Sequence, residues 1–432
     1  MKKLLIEGPA RLSGTVRIHG AKNSVLPILA ACCLCSSPCV LHNCPDIEDV
    51  RTALQILETL GCKTKREGST LLIDPAGLNA FCVPKKLAGK MRSSVLFLGP
   101  LLARFSRAEL ALPGGCPLGD RPINLHVKAL SKLGARFSFP NGAICAEWPR
   151  RLSGDITLPI PSVGATENLL LACAFGNNDV TISGAAREPE ITDLIGFLRA
   201  AGADISGAGT KDLVIRGASK LHGATYTILP DRIEAATYLC MVAGCGGEAE
   251  ILRCGGRLLS PVIESLRAAG CEISCNADRI WIQSPGTLSA VERIVTAPYP
   301  GFPTDAQPAL MAAVLKAKGE SVFHETVFER RFLHVPQMQK LGADITLRDQ
   351  TAVVRGVSKL HGESLKAEDL RGAAALVAAG LMAEGTSELT GLSHLERGYS
   401  SLEAALKNLG AAIKCVDIPA SFVYNTHYEV NS

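Results

Sequence analysis

The sequence predicts an α/β protein of six βαβαββ units, three to a domain, and two periodic observations carry that prediction. A helix ending in Leu-Gly or Ala-Gly, followed by a small residue and a strand, recurs with its glycine at Gly61, Gly134, Gly202, Gly270, Gly342 and Gly410, at spacings of 73, 68, 68, 72 and 68 residues. A polar or Gly-rich helix start recurs in the same phase at Lys22, Arg92, Gly164, Arg232, Asp305 and Arg371. A fixed period of this length marks a repeated supersecondary unit, and six such units fill the 432 residues.

The elements follow in order. The longest apolar run, Val25 to Leu34, contains Pro27 and is too short to span a bilayer, so it reads as a buried helix. In the third unit, Gly154 to Pro159 alternates as a strand, Ser162 to Phe175 is a helix, Asp179 to Ser183 a strand, Glu190 to Ala201 a helix, and two short strands follow. Asp231-x-x-Glu234 and Thr304-x-x-Gln307 fit capping boxes, which puts Asp305 at a first helical position. Each recurrent glycine falls where a left-handed residue stops a helix. A single unit cannot bury both faces of its sheet, so units must associate around shared helices. Six divide into three and three, with the break near Leu229 to Asp231. If the units of each domain are arranged alike, their helix N-termini converge with basic side chains on a cleft suited to a multiply anionic ligand.

Composition narrows the function. The net charge is +4 and no block of five or six like charges occurs, which argues against a dedicated nucleic-acid or membrane surface. Aromatic residues make up 5%, too few for stacking platforms on single-stranded nucleic acid. Met1 to Glu7 reaches an acidic residue after three apolar ones, short of a secretory core, so a cytoplasmic chain is expected. Sixteen cysteines then imply free thiols in a reducing compartment. Cys32, Cys33, Cys35, Cys39 and Cys44 lie mostly among alanines and leucines, where a thiol packs as a small apolar group. No Cys/His pair follows at zinc spacing, and Cys271 and Cys275 take the same packing role.

The most chemically suggestive loop is Pro113-Gly114-Gly115-Cys116-Pro117-Leu118-Gly119-Asp120-Arg121-Pro122. Its glycines and prolines make it mobile but shaped. It offers the Cys116 thiol on a bendable arm, with the planar donor fork of Arg121 at its base, as a lid over an anion would. Lys22 and Asn23, at the start of the first apolar helix, outline a phosphate or carboxylate site. Arg92, Arg331, Arg371 and Arg397 stand in loop or helix-start contexts. Asp305 suits either a helix start or a general base toward a hydroxyl, and local sequence does not choose between them.

Taken together, Lys22-Asn23, the Gly-Gly-Cys116 loop with Arg121-Pro122, Ser162-Val163-Gly164-Ala165-Thr166, Asp231-Arg232-Ile233-Glu234, Pro303-Thr304-Asp305-Ala306-Gln307, Arg331-Phe332-x-His334-Val335 and Arg397-Gly398-Tyr399 resemble the enolpyruvyl transferases over essentially the whole chain. The Cys-bearing loop marks the branch that uses a UDP-sugar and is lacking in the shikimate-pathway branch. The resemblance implies two inside-out α/β domains, each of three βαβαββ repeats. One spans residues 22–229 and carries the Cys116 loop; the other spans 1–21 plus 230–432. It implies transfer of the enolpyruvyl group of phosphoenolpyruvate to the 3'-hydroxyl of UDP-N-acetylglucosamine with release of phosphate, the first committed step of peptidoglycan synthesis. No metal or organic cofactor is implied, and a monomer is expected.

By the same resemblance Cys116 is the general acid at C3 of phosphoenolpyruvate and a group able to form a covalent adduct with it, and Asp305 is the base for the sugar hydroxyl. Lys22, Arg121 and Arg397 neutralise phosphate and carboxylate, Asn23 bonds the sugar hydroxyl or the tetrahedral intermediate, and Arg331 and Arg371 support the closed state. Arg92, Pro122, Ile123, Asn124, Leu125, Ser162, Val163, Gly164 and Val327 fall on positions that hold the UDP-sugar. Two departures bear on the nucleotide: Asn124 stands where the family commonly has Asp, and Ile160 where some members carry Lys. Alternatives are therefore a paralogue with altered UDP-sugar preference, a non-catalytic UDP-sugar-binding regulator, and 5-enolpyruvylshikimate-3-phosphate synthase.

Overall fold

A computed structural model describes residues 2–112, 123–148, 153–176 and 178–417. Twelve helices, two per unit, carry the pattern: α1 (Lys22–Ala31), α2 (Glu48–Thr59), α3 (Leu98–Phe105), α4 (Asn124–Lys132), α5 (Val163–Cys173), α6 (Pro189–Ala200), α7 (Arg232–Cys245), α8 (Ser260–Ala268), α9 (Gln307–Ala313), α10 (Val335–Lys340), α11 (Leu370–Met382) and α12 (Leu402–Asn408). The odd-numbered helix of each unit is the inner one. Among the described residues no helix is long and apolar enough to cross a membrane.

Each unit owns a four-stranded sheet. In the third, Ser153–Thr157 runs parallel to Asp179–Ser183, which pairs antiparallel with Asp212–Arg216, and that strand pairs antiparallel with Asp204–Ser206. The other five sheets repeat this order and these directions. The predicted βαβαββ unit is thus the observed one.

Not every unit is a contiguous piece of chain, as the repeat period alone would have it. The strand preceding α1, Leu12–Arg17, sits in the fourth sheet beside Gly247–Leu252, and the strand preceding α7, Thr225–Thr227, sits in the first sheet beside Cys39–His42. The first strands of units one and four are therefore exchanged. Lys2–Gly8 fills the remaining place in the sixth sheet, between Gly385–Thr390 and Ala412–Asp417. The two crossing segments run side by side, with the Ala21 N–H donating to the Leu229 carbonyl and the Asp231 N–H to that of His19, both at 2.8 Å.

Helix ends follow the recurrent glycines. All six take positive φ, from 86° at Gly410 to 106° at Gly61 and Gly270. At each, the glycine N–H returns to the carbonyl three residues back, and the next N–H to the carbonyl five residues before it, as in Glu58–Gly61 and Leu57–Cys62. This double bond pattern satisfies the last carbonyls of an α-helix and turns the chain toward the next strand.

The buried apolar side chains form two cores, one drawn from residues 25–228 and one from 4–18 with 235–413. Inner helices occupy the middle of each. Every residue of α11 is buried, as expected of a helix without a polar face. Small residues let these helices approach: a Cβ on Gly244 of α7 would lie 2.6 Å from Met382 Sδ of α11 and 3.0 Å from Ala313 Cα of α9. Cys32, Cys33, Cys35, Cys39 and Cys44 are all buried in the first core, as small apolar groups. Cys271 is buried, but Cys275 is exposed at the end of its strand, so the packing role assigned to it fails there.

The Gly244 contact tests the three-helix packing. Gly244→Val is expected to lower stability by about 1–3 kcal/mol through overpacking, read as a lower urea midpoint with the fold retained; an unchanged midpoint would show that the helices have room to part.

Candidate active site

Between the two cores lies a cavity of about 950 Å³ whose walls include all six in-phase landmarks, Lys22, Arg92, Gly164, Arg232, Asp305 and Arg371. The periodicity places them there. Each precedes or opens the first helical turn of its unit, and the inner helices of each half point their starts at the other.

At three of the six inner helices the first N–H groups are occupied by the protein's own side chains. Asp231 caps α7 by accepting from the N–H groups of Ile233 and Glu234, and its other oxygen accepts from the Lys22 N–H at 3.2 Å. Asp369 caps α11 through Arg371 and Gly372, and Ser162 caps α5 through Ala165. These donors are satisfied within the protein, so positive charge reaches the cavity on side chains of the first turn. The Asp231 box is also only half formed: Glu234 accepts from the backbone N–H and the ring Nδ1 of His19, at 2.9 Å each, instead of returning to its own cap.

Asp305 is two residues ahead of α9 rather than its first residue, and Thr304 is not the cap. The helix begins at Gln307 with Ala306 at its N-cap, while the Thr304 hydroxyl donates to Glu325 at 3.0 Å. This frees Asp305 from the helix and lets two arginines hold it. Arg331, 1% exposed, reaches Asp305 Oδ1 at 2.8 Å and doubly contacts the Thr304 carbonyl at 2.8 and 3.0 Å. Arg371 reaches Asp305 Oδ2 at 3.2 Å and the Tyr399 hydroxyl at 3.2 Å. Burial alone would lower the pKa of Arg371, but Tyr399, Asp305 and Asp231 outweigh it and keep it charged.

A second cation pair meets on Asp49. Lys22 Nζ lies 2.9 Å from Asp49 Oδ2, and Arg397 grips the same carboxylate in a fork, Nε to Oδ1 at 2.9 Å and Nη2 to Oδ2 at 3.2 Å. Burial lowers the pKa of Lys22 more than Asp49 raises it, with Arg397 and Arg371 adding repulsion. Burial opposes ionisation of Asp49 too, but Lys22 and Arg397 prevail and hold its carboxyl below the usual range. Nothing local marked Asp49 in the sequence, since an acidic residue in the first turn of a helix ordinarily serves the macrodipole.

The cavity is also lined by Asn124, Leu125, Ser162, Val163 and Gly164 from the first half and Val327 from the second. Gly164 must be small: a Cβ there would stand 2.9 Å from His126 Cε1. His126 is buried against Asn168, with Nδ1 2.8 Å from the amide nitrogen, and burial together with Arg92 pushes its pKa down to about 4. Farther round, Arg232 forks Glu190 at 2.9 and 3.2 Å and lies over the Tyr299 ring at 5.7 Å. Burial, reinforced by Glu190 and Glu188, raises the pKa of Glu167 well above the carboxylate range.

The cavity thus gathers Lys22, Asn23, Arg92, Asn124, Leu125, Ser162, Val163, Gly164, Asp305, Val327, Arg331, Arg371 and Arg397. Ile123, the N-cap residue of α4, is not among its lining residues. Ile160 lines it and is 59% exposed, where it can meet a ligand only through apolar contact. Cys116, Arg121 and Pro122 lie outside the described residues. Asp49, Glu167 and Glu190, which also line the cavity, carry no local signal in the sequence, and the pairing of Glu190 with Arg232 appears only in the fold.

Comparison with known proteins agrees with this geometry. The family model described as EPSP synthase (3-phosphoshikimate 1-carboxyvinyltransferase) matches residues 6–406. The chain is 46% identical over 413 residues to UDP-N-acetylglucosamine 1-carboxyvinyltransferase 2 of Caldanaerobacter subterraneus, covering 96% of this chain and 99% of the relative. It is 42% identical over 416 residues to UDP-N-acetylglucosamine 1-carboxyvinyltransferase of Desulfosudis oleivorans, covering 96% and 100%. The crystal structure of the enolpyruvyl transferase NikO from Streptomyces tendae superposes with a TM-score of 0.87 at 28% identity, over 97% of this chain and 99% of that one. EPSP synthase from Acinetobacter baumannii superposes at 0.73 with 19% identity, over 96% of this chain and all of that one, and shares the fold.

The buried neutral His126 makes stability depend on pH. Its folded pKa lies below the ordinary 6.5, so below that pH the unfolded chain binds a proton that the folded one refuses. Its contribution is intact above 6.5 and falls by up to roughly 3 kcal/mol as pH drops toward 4. His126→Gln should therefore flatten the pH dependence of the urea midpoint across that window; a slope as steep as wild type would remove His126 from the account.

Proposed function

The chain belongs to the EPSP synthase family of carboxyvinyltransferases, and from that premise we propose that it transfers the enolpyruvyl group of phosphoenolpyruvate to the 3'-hydroxyl of UDP-N-acetylglucosamine. It is an enolpyruvyl transferase. What supports the choice of substrates is a cleft with separate cation clusters, Lys22 with Arg397 and Arg331 with Arg371, in a chain nearly half identical to relatives named for that UDP-sugar.

The chemistry assigns each group a task. Cys116, as general acid, protonates C3 of phosphoenolpyruvate, and positive charge develops at C2. The sugar 3'-oxygen attacks C2 while Asp305 accepts its proton, giving a tetrahedral ketal. The C2–O bond to phosphate then breaks, C3 returns its proton, and an enolpyruvyl ether and inorganic phosphate result. Attack of the Cys116 thiolate at C2 in place of the sugar gives the covalent adduct. Lys22, Arg397 and Arg121 neutralise the carboxylate and phosphate, and such preset charge acts most strongly where water is excluded. Asn23 bonds the sugar hydroxyl or the ketal.

Asp305 serves as a base because it has an oxygen-rich side chain facing the cavity while Arg331 and Arg371 fix its direction. Arg92, Pro122, Asn124, Leu125, Ser162 to Gly164 and Val327 hold the nucleotide sugar. In this account residues 22–229 form one domain and 1–21 with 230–432 the other. They close on the substrates in a cytoplasmic monomer that begins peptidoglycan synthesis without a cofactor.

Phosphate release tests the substrate assignment. Release from phosphoenolpyruvate is expected with UDP-N-acetylglucosamine and not with shikimate 3-phosphate or UDP-glucose. Release with UDP-glucose would mark an altered sugar preference, and silence of a folded protein with all three would favour a binding regulator.

A second test concerns the thiol. Cys116→Ser should lose about 10²–10⁴ in turnover, the range for a misplaced general acid, while Cys116→Asp keeps turnover and escapes inactivation by a thiol-alkylating epoxide. Wild-type turnover of the serine variant would remove the acid role.

A further inference from the structure

We infer that Asp49 is a positioning residue that assembles the anion site by drawing Arg397 of one half onto Lys22 of the other. The inference rests on the function proposed above and adds to it a group that touches no reacting atom. Lys22 opens α1 in the first half, whereas Arg397 follows the short helix Leu392–Leu395 in the second. The two meet at the Asp49 carboxylate, which is 3% exposed and takes one cation on Oδ2 and the other across both oxygens. Sharing Oδ2 holds an ammonium and a guanidinium closer than two buried like charges would otherwise stay, since a buried charge needs a partner to offset lost solvation.

The backbone repeats the connection. The Glu48 N–H, at the start of α2, donates to the Glu396 carbonyl at 3.0 Å. No side chain caps α2, so this end of the helix docks on the 396–397 segment of the opposite half. Asp49 therefore couples two events: contact between the halves and delivery of Arg397 to the anion. Across the cleft, Arg232 and Glu190 also join the halves, but that pair brings no second cation to Lys22.

The charge of Asp49 also supports the proton on Lys22. Among the described residues, the charged groups facing Lys22 are Asp49 on α2, Arg397, Arg371 on α11, and Asp231 at its backbone N–H. Asp49 raises the pKa of Lys22 and the two arginines lower it. Lys22 holds an anion only while protonated, so binding is lost as pH rises through its pKa. Removing the carboxylate lowers that pKa and moves the loss to lower pH.

The experiment compares wild type, Asp49→Asn and Asp49→Glu by phosphate release over a range of pH. In the Asn variant the KM for phosphoenolpyruvate should rise about tenfold or more, as when one partner of a buried charge pair is truncated, with the KM for UDP-N-acetylglucosamine little changed. The alkaline limb of kcat/KM for phosphoenolpyruvate should also move to lower pH. The Glu variant keeps the charge, so its limb stays near wild type while its longer arm still raises the KM. A structural role alone would lower the active fraction and leave both readouts unmoved. Should the Asn variant fail to fold, a wild-type KM in the Glu variant overturns the inference by itself. A wild-type KM and limb in a folded Asn variant overturn it while the proposed function stands; a folded wild type silent with its substrates overturns both.

Discussion

The structure depends on one constraint: the inner helices are too apolar to face water, α3 with its part-exposed Arg104 end being the least so. In α11 no residue is exposed, and α1 and α7 are nearly the same. Such helices are stable only when other units surround them, so three units collect around a helical centre and put their sheets outside. Close approach at positions such as Gly244 makes the centre dense, and its density aligns the helices. Once they are aligned, their starts open at one end of each half, where the cavity lies.

Convergence of six helix starts on one cavity creates an electrostatic difficulty that the structure solves with carboxylates. Asp231 and Asp369 occupy the N–H groups of their own helices, Asp305 bridges Arg331 and Arg371, and Asp49 bridges Lys22 and Arg397. Asp305 and Asp49 thereby fix the directions of cations that would otherwise turn away from one another. The result is a set of charges held in place before any ligand is considered, which is the arrangement that lets an anion be stabilised with little rearrangement. The same closeness bears on the neutral His126: burial, with Arg92 nearby, decides its protonation.

Much of this was legible along the chain. The glycines at Gly61, Gly134, Gly202, Gly270, Gly342 and Gly410 announced helix ends because only glycine accepts that backbone conformation without strain. Lys22, Arg92, Gly164, Arg232, Asp305 and Arg371 announced the cavity because their common phase put them at equivalent places in equivalent units. Asp305 shows where local rules stopped. Thr304-x-x-Gln307 resembled a capping box, yet two buried arginines from 26 and 66 residues away held Asp305 outside the helix. Charge pairing across the chain outweighed a cap contributing about 1 kcal/mol.

What the sequence alone determined was the unit, its number and the residues that would face a common site, since those follow from periodicity, and periodicity is a local property written in every repeat. What only the tertiary structure decided was partnership. The repeat period does not say which sheet Leu12–Arg17 or Thr225–Thr227 joins; the family resemblance assigned residues 1–21 to the second domain, and the strand partners themselves are seen in the fold. Asp49 looks like any acidic residue in a first helical turn until Arg397, 348 residues away, is folded against it. Hydrogen bonds and ion pairs act over a few ångströms whatever the distance along the chain, so the meaning of those residues exists only in the folded molecule.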